Sequence, residues 1–291
     1  MLGKLLKYDL RSVVKSWCIA MLTMLVTSFG TGIVLRLIGE INIKPYSDVL
    51  WFVENALRLA AGLGIVVMGL CFFSVFVMIF VRYFKHLFTD EGYLTFTLPV
   101  SRGNIFLSKT LSAILWMVLS HIVLGLCFLI MGVIVLPVIV RAIVLPIFGE
   151  IAGAFDFANY AIEFIFGNVD YFIIMNTVLG VSILLANSVL FIAAGYFCIT
   201  LGATVVKKGK LLVSIGAFYL LNMIYSSAVR FLGVVSVLAL LSGLGSVLRT
   251  ETLTSVWWTL VMLIVLVAII TLCALFYCLT LNIIERKLNL S

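Results

Sequence analysis

The sequence predicts an all-α integral membrane protein with six transmembrane helices. Of its 291 residues, 64% are apolar and 11% are charged, which is more apolar surface than one soluble core of this size encloses. The apolar residues also form uninterrupted runs, whereas the strands of a membrane barrel alternate apolar and polar residues. Because a chain in lipid must pair its own backbone groups, helices are the class of span that fits.

The apolar runs define six predicted membrane spans. The third and fourth exceed the roughly 20 residues that a span needs, so they are expected to tilt or to extend beyond the bilayer. Pro137 is placed to kink or end the third span. The spans are at residues 17–38, 59–81, 111–140, 173–206, 211–235 and 256–281.

The basic residues predict the orientation of these spans. Most of the 19 lie in segments 1–15, 82–109, 207–210 and 286–287, which six spans place on one side of the membrane. The positive-inside rule makes that side the cytoplasm, so both termini are predicted to be cytoplasmic. The net charge of +7 then reflects topology, and no nucleic-acid partner is expected, because no basic face exists outside short loops.

Residues 1–15 form a predicted amphipathic helix in the plane of the inner membrane surface. Leucine and valine side chains recur at helical spacing on one face, with Lys4, Lys7, Arg11 and Lys15 on the other. The alternative is an ordinary positive flank of the first span.

Residues 141–172 are the longest predicted external loop. Asp156, Glu163 and Asp170 recur at a fixed helical spacing, with aromatic residues between them. This pattern indicates an amphipathic helix on the outer surface. Packing against the other spans and a role in handling substrate both remain open.

Motifs for independent catalysis are missing from the sequence. It contains no G-x-x-x-x-G-K-[ST] phosphate loop, no H-E-x-x-H and no paired-carboxylate pattern. The six cysteines lie in apolar runs without a C-x-x-C spacing, so neither a disulfide framework nor a zinc site is expected. We therefore predict a chain that is not an enzyme and binds no cofactor or metal itself.

The main predicted cytoplasmic connection is residues 82–110. Residues 82–88 are expected to continue the second span as a helix, and Gly92 to occupy a turn. Ser101 or Asn104 is positioned to cap the third span. The segment is either a solvated hairpin or a docking surface for a cytoplasmic partner, and its exposed aromatic residues favour docking.

Polar residues inside predicted spans are candidates for a substrate pathway. Hydrogen bonds between helices are the simpler interpretation of the histidine and asparagines, and an arginine near a span end can extend to the membrane surface. The candidates are His121, Asn176, Asn187, Asn222 and Arg230.

Three segments resemble a known family: MLGKLLKYDLRS at the N-terminus, FKHLFTDEGYLTFTLPVSRGNIFLSK in the cytoplasmic connection and ERKLNL near the C-terminus. They are similar to permease subunits of bacterial ATP-binding-cassette transporters of the type-2 exporter family. The resemblance is greatest to the Firmicutes branch found near peptide-antibiotic export and immunity systems. Its distinctive residues lie mostly at 84–109, and LFTDEGYLTFTLPVSR is its most specific stretch.

This resemblance implies a single permease domain over residues 1–291 in the bacterial cell membrane. It implies an in-plane helix at 1–15 and, at 82–92, a coupling helix that docks into an ATP-binding-cassette ATPase subunit. ATP and Mg would be bound by that subunit, and a second permease would complete a homodimer or heterodimer. A re-entrant break after span five is also implied, with Arg230, Gly233, Gly243 and Gly245 compatible with it. The implied docking residues are Phe84, Lys85, Leu87, Phe88, Asp90, Glu91, Gly92 and Tyr93.

The expected function is the permease half of an ATP-driven exporter for an amphipathic or lipophilic substrate, with a peptide or antibiotic as the cargo that the family suggests. Two alternatives remain. A non-transporting scaffold or sensor subunit would keep the docking segment without a path, and an ion-coupled secondary transporter would need carboxylates deep in its spans.

Overall fold

The structure is a computed structural model that describes residues 2–41, 48–89, 92, 100–148, 171–205, 209–241 and 251–287. Six long α-helices make up the regular structure of these residues. Each contains a stretch long and apolar enough to cross a membrane, which confirms the predicted class of multi-pass helical membrane protein. The helices are α1 (Leu2–Ile41), α2 (Asp48–Phe88), α3 (Arg102–Phe148), α4 (Tyr171–Val205), α5 (Lys210–Leu241) and α6 (Glu251–Lys287).

The helices are longer than the apolar runs that predicted them. Helix α2 has 41 residues and is therefore about 60 Å long, roughly twice the thickness of the hydrocarbon layer. Its last turns include residues 82–88, as predicted. Helix α3 begins directly after Ser101, whose backbone carbonyl accepts hydrogen bonds from Asn104 and Ile105 at 3.0 and 3.3 Å. Ser101 thus occupies the N-cap position.

Two expected interruptions are not found in the described helices. Helix α3 continues through Pro137 to Phe148, so this proline does not end it. Helix α5 continues through Arg230 and Gly233 to Leu241. Prolines and polar residues are tolerated in long membrane helices where neighbouring groups satisfy the backbone. Gly243 and Gly245 lie outside the described residues.

Both ends of the predicted external loop, residues 141–172, are helical. Helix α3 includes residues 141–148, and helix α4 begins at Tyr171. The acidic positions that suggested a surface helix, Asp156, Glu163 and Asp170, lie outside the described residues.

Helix α1 runs without interruption from Leu2 into the predicted first span. Within the predicted amphipathic segment, Val13 is buried, whereas Lys4, Lys7, Arg11 and Lys15 are exposed. Its placement in the membrane plane remains a prediction.

The chain forms two compact units. Unit 1 comprises Met1–Leu6, Ile79–Ile114 and Val169–Ser291, and unit 2 comprises Lys7–Met78 and Leu115–Asn168. Helices α1, α2 and α3 contribute residues to both.

Small and polar residues mediate the helix contacts of unit 2, as is usual between membrane helices. A Cβ atom at Gly32 of α1 would lie 3.0 Å from Ile134 of α3, which shows how closely these helices approach. The Trp17 indole N–H of α1 donates a 2.8 Å hydrogen bond to Ser120 of α3, and the Trp17 and Trp116 rings lie 4.9 Å apart.

Unit 1 packs α4 against α5 and α6 and adds the adjoining ends of α2 and α3. Thr259 of α6 donates a 3.0 Å hydrogen bond to the Asn176 side chain of α4. The rings of Phe197 on α4 and Phe276 on α6 lie 5.4 Å apart. Unit 1 contains most of the candidate functional residues.

Candidate functional site

Five helix termini meet at one end of unit 1. The Tyr83 hydroxyl near the end of α2 lies 2.8 Å from Thr200 near the end of α4. At the start of α3, Arg102 donates a 3.4 Å hydrogen bond to the backbone carbonyl of Glu285 at the end of α6. Gly202 of α4 lies against the first turn of α5, where a Cβ atom would come 2.9 Å from the Lys210 carbonyl.

At this end of unit 1, four of the five termini carry basic residues that the sequence predicts to be cytoplasmic. We call it the basic end, defined by Arg82, Lys85, Arg102, Lys210 and Arg286. Lys85 and Arg286 are exposed. Basic residues at the ends of membrane helices are typical of the cytoplasmic side, which is the orientation that the sequence predicts.

The docking segment is residues 82–92, of which the structure describes 82–89 and 92, and residues 82–88 are the last turns of α2 at this end. Lys85 is exposed and Phe84 and Phe88 are half-buried, with their rings 6.2 Å apart. The Thr89 hydroxyl donates to the Lys85 carbonyl, which satisfies one of the last carbonyls of α2. The implied contacts Asp90, Glu91 and Tyr93 lie outside the described residues.

Leu87 and Gly92 stabilise the shape of the docking segment. Leu87 is only 3% exposed, so its side chain faces the interior of this chain. The Gly92 amide donates a 2.8 Å hydrogen bond to the Thr89 carbonyl. Gly92 was predicted to occupy a turn but is helical, and a Cβ atom there would overlap the backbone of Leu87, so a side chain at this position would disturb the packing against the end of α2.

Tyr83 anchors the docking segment to the rest of unit 1. Its ring is 1% exposed and stacks on Tyr196 of α4, with centroids 3.8 Å apart and planes 12° apart. The same ring contacts Phe88 at 5.9 Å and Phe106 of α3 at 6.3 Å. Tyr83 therefore joins the end of α2 to both α3 and α4.

Aromatic contacts continue from Tyr83 toward the middle of α4 and α5. The Phe80 ring of α2 lies 6.3 Å from Tyr196, 5.8 Å from Phe191 of α4 and 5.7 Å from Phe218 of α5. Phe191 and Phe218 are themselves 4.8 Å apart. We call this series the aromatic chain: Phe88, Tyr83, Tyr196, Phe80, Phe191 and Phe218.

The aromatic chain ends at a cavity of about 300 Å³ between α4, α5 and α6. This volume is at the lower end of the range of small-molecule sites. Most of the wall is apolar, and its polar members are Asn187, Asn222 and Tyr225. The cavity is lined by Asn187, Leu190, Phe191, Ala194, Phe218, Leu221, Asn222, Ile224, Tyr225, Ala228, Leu272 and Phe276.

The structure brings together two of the candidate pathway residues. Asn187 accepts a 2.9 Å hydrogen bond from the Tyr225 hydroxyl, and Asn222 lies one turn before Tyr225 on α5. Asn176 lies outside this cavity and bonds to Thr259 between two helices.

The other two candidates lie elsewhere. His121 belongs to unit 2, where Nδ1 lies 2.9 Å from the Met117 carbonyl and the ring packs edge-on against Phe72 at 5.1 Å. This is a contact between α2 and α3. Arg230 is exposed on α5, and its guanidinium lies 3.4 Å from the Ser226 hydroxyl.

Sequence reasoning missed Tyr225, Phe80 and Tyr83. Aromatic residues are common in apolar runs, so none of these was distinguished by its type. One signal was available for Tyr225: it follows Asn222 by three residues, which places both on one face of a helix.

Within the part of the chain that the structure describes, no group of three or more His, Cys, Asp or Glu side chains could hold a metal ion. Comparison of the chain with protein-family models, curated proteins and solved structures gave no match.

Proposed function

We propose that this chain is the membrane-spanning permease subunit of an ATP-driven exporter in the bacterial cell membrane. Both termini and the basic end would then face the cytoplasm, and residues 1–15 would lie along the inner membrane surface. The positive-inside distribution of Lys and Arg supports that orientation. The family resemblance of the sequence supports the transport class.

The observation that carries the proposal is the way in which the docking segment is joined to the helix bundle. Residues 82–88 of this segment are the last turns of a continuous helix, and the buried Tyr83 connects them to α3 and α4. A partner that moved this segment would therefore move packed helices rather than a loose loop. Such rigid-body motion is the usual way in which a domain closure is transmitted.

The energy would come from a separate ATP-binding-cassette ATPase subunit that binds ATP and Mg. Its surface would contact the docking segment through Lys85, Phe84 and Phe88, together with Asp90 and Glu91. A second permease, identical or related, would complete the transporter. The cargo class we propose is amphipathic or lipophilic, and peptide or antibiotic cargo rests on the family resemblance.

Ion-coupled transport is less well supported than ATP-driven export. It would require a carboxylate that can exchange a proton or cation within a span. Glu54 is 5% exposed, but it is paired with Arg58 one turn away, and both lie in the first turns of α2. A buried, paired carboxylate near a helix end is typical of a structural ion pair.

Purification from the native host in mild detergent tests the proposal. We expect an ATP-binding subunit among the co-purifying chains. A docking variant with Lys85→Glu, Asp90→Ala and Glu91→Ala should retain at least about tenfold less of that subunit, because several contacts of about 0.5–1 kcal/mol are removed together.

The matched control is Arg36→Ala with Glu40→Ala, an exposed ion pair of α1 that the topology places on the outer side. This variant should retain the partner as the parent chain does. Absence of any nucleotide-binding chain from the parent purification would contradict the exporter function. Unchanged retention by the docking variant would contradict the placement of the docking site alone.

A further inference from the structure

The cavity between α4, α5 and α6 combines an apolar wall with one polar corner. Leu190, Phe191 and Ala194 of α4 face Phe218 and Leu221 of α5 across it. An apolar wall of this kind accepts a hydrocarbon chain, because the ligand is removed from water without the loss of hydrogen bonds.

The polar corner has unused hydrogen-bonding capacity. The Tyr225 hydroxyl donates to Asn187 Oδ1, which leaves the Tyr225 oxygen as an acceptor and the Asn187 amide nitrogen as a donor. The Asn222 side chain makes no hydrogen bond to any described residue, so its amide offers both a donor and an acceptor. A ligand group that both donates and accepts, such as a hydroxyl or a carboxamide, would satisfy this corner.

Among the described residues that line the cavity, none is a Lys, Arg, His, Asp or Glu. A charged head group would therefore lose its hydration without gaining a counter-ion, which is costly in a membrane interior. The site thus selects against both anionic and cationic amphiphiles.

The rim of the cavity faces outward from unit 1. Ile224 is 72% exposed, and Ala228, one turn further along α5, is also exposed. Because α5 is a predicted membrane span, this rim lies against lipid, and a ligand could enter sideways from the bilayer.

We propose that this cavity binds an uncharged single-chain amphiphile, with its hydrocarbon chain against the phenylalanine wall and its hydroxyl or amide group at Asn187, Asn222 and Tyr225. The further statement that such a molecule is the transported cargo rests on the exporter function proposed above. Binding itself does not, because it requires only this chain.

Photolabelling of the purified full-length chain in phosphatidylcholine nanodiscs tests the site. The probe is dodecanol carrying a diazirine in its chain. We expect label on the lining residues of α4 and α5, displaced by dodecanol and dodecanamide but much less by dodecanoate, dodecylammonium or dodecane. Equal displacement by all five competitors would overturn the proposal, because the polar corner would then have no role.

Two variants test the two parts of the cavity. Tyr225→Phe combined with Asn222→Leu should weaken dodecanol binding by about three- to tenfold for each hydrogen bond lost, whereas the control Tyr219→Phe, on an exposed tyrosine of the same helix, should not. Ala228→Leu should reduce labelling by filling the rim, and Ser227→Leu, on an exposed neighbour outside the lining, serves as its control. Equal labelling of either variant and its control would overturn the proposal.

A second copy of this chain is the competing occupant. With p-benzoylphenylalanine in place of Ile224, illumination in nanodiscs should give an adduct with added dodecanol. A chain-to-chain adduct instead would show that another copy covers the cavity, and would overturn the proposal. No ATP-binding subunit is present in these experiments. A negative result would therefore count against ligand binding at this cavity and not against the exporter function.

Discussion

At the scale of single residues, the direction of one buried hydrogen bond is fixed by its neighbours. Thr200 donates its hydroxyl proton to the Tyr196 carbonyl at 2.7 Å. Its oxygen must then accept from the Tyr83 hydroxyl, 2.8 Å away. Both side chains are almost fully buried, so neither can substitute water for its partner.

This direction predicts unequal effects of two substitutions. Thr200→Val leaves the buried Tyr83 donor without an acceptor and should lower the free energy of unfolding by about 1–3 kcal/mol. Tyr83→Phe removes the donor but keeps the stacked ring, and should cost only about 1 kcal/mol. Unfolding in mixed detergent micelles measures both. A larger loss for Tyr83→Phe than for Thr200→Val would contradict the assigned direction.

At the scale of helices, the aromatic chain depends on a glycine of α4. A Cβ atom at Gly195 would overlap the Phe80 ring. A shift of the Phe80 ring would disturb its contacts with Phe191, Tyr196 and Phe218. The close approach of α2 to α4 therefore requires the smallest residue at this position.

Gly195→Ala should consequently destabilise the protein by about 1–3 kcal/mol, the usual range for overpacking. The control is Gly180→Ala in the same helix, where a Cβ atom meets nothing within 4 Å. Since alanine favours a helix over glycine by about 1 kcal/mol, the control should be neutral or stabilising. Thermal unfolding in detergent compares the two, and similar melting temperatures would contradict the predicted packing.

The sequence was enough to predict that there are six membrane helices. It was not enough to predict where most of them end or which helices pack against each other. Long apolar runs indicate spans by composition alone, and each of the six coincides with a described helix, apart from residue 206, which lies outside the described residues. The extension of α2 through residues 82–88 was predicted, whereas the continuation of α3 to Phe148 was not, because the predicted third span ends at residue 140. Pro137 illustrates this limit, because its local preference suggested an end where α3 continues.

The candidate site was predictable only in part for a similar reason. Asn187 and Asn222 were recognised as polar residues in apolar surroundings, but they are far apart in sequence. Only the packing of α4 on α5 places both at one cavity, with Tyr225 between them. Leu87 was assigned to the docking surface by resemblance, whereas its burial depends on how the docking segment folds.

At the scale of the whole molecule, the arrangement of charge makes a topological prediction. Lys and Arg residues at both ends of the chain and at the basic end should all be cytoplasmic. Green fluorescent protein fused after Ser291 should therefore fluoresce, while alkaline phosphatase fused there should be inactive. Phosphatase inserted between residues 149 and 170 should be active. Activity of the C-terminal phosphatase fusion would contradict this orientation.

We propose that the exposed end of α2 is a docking site for an ATP-binding subunit. Site-specific photocrosslinking in the native host tests it most directly, with p-benzoylphenylalanine at Lys85 and, as a control, at the exposed Arg36 of α1. We expect the Lys85→p-benzoylphenylalanine variant to form an adduct with a chain that has nucleotide-binding motifs, and the Arg36→p-benzoylphenylalanine variant to form none. Adducts only with lipid or with this chain, or the same adduct from both positions, would contradict it.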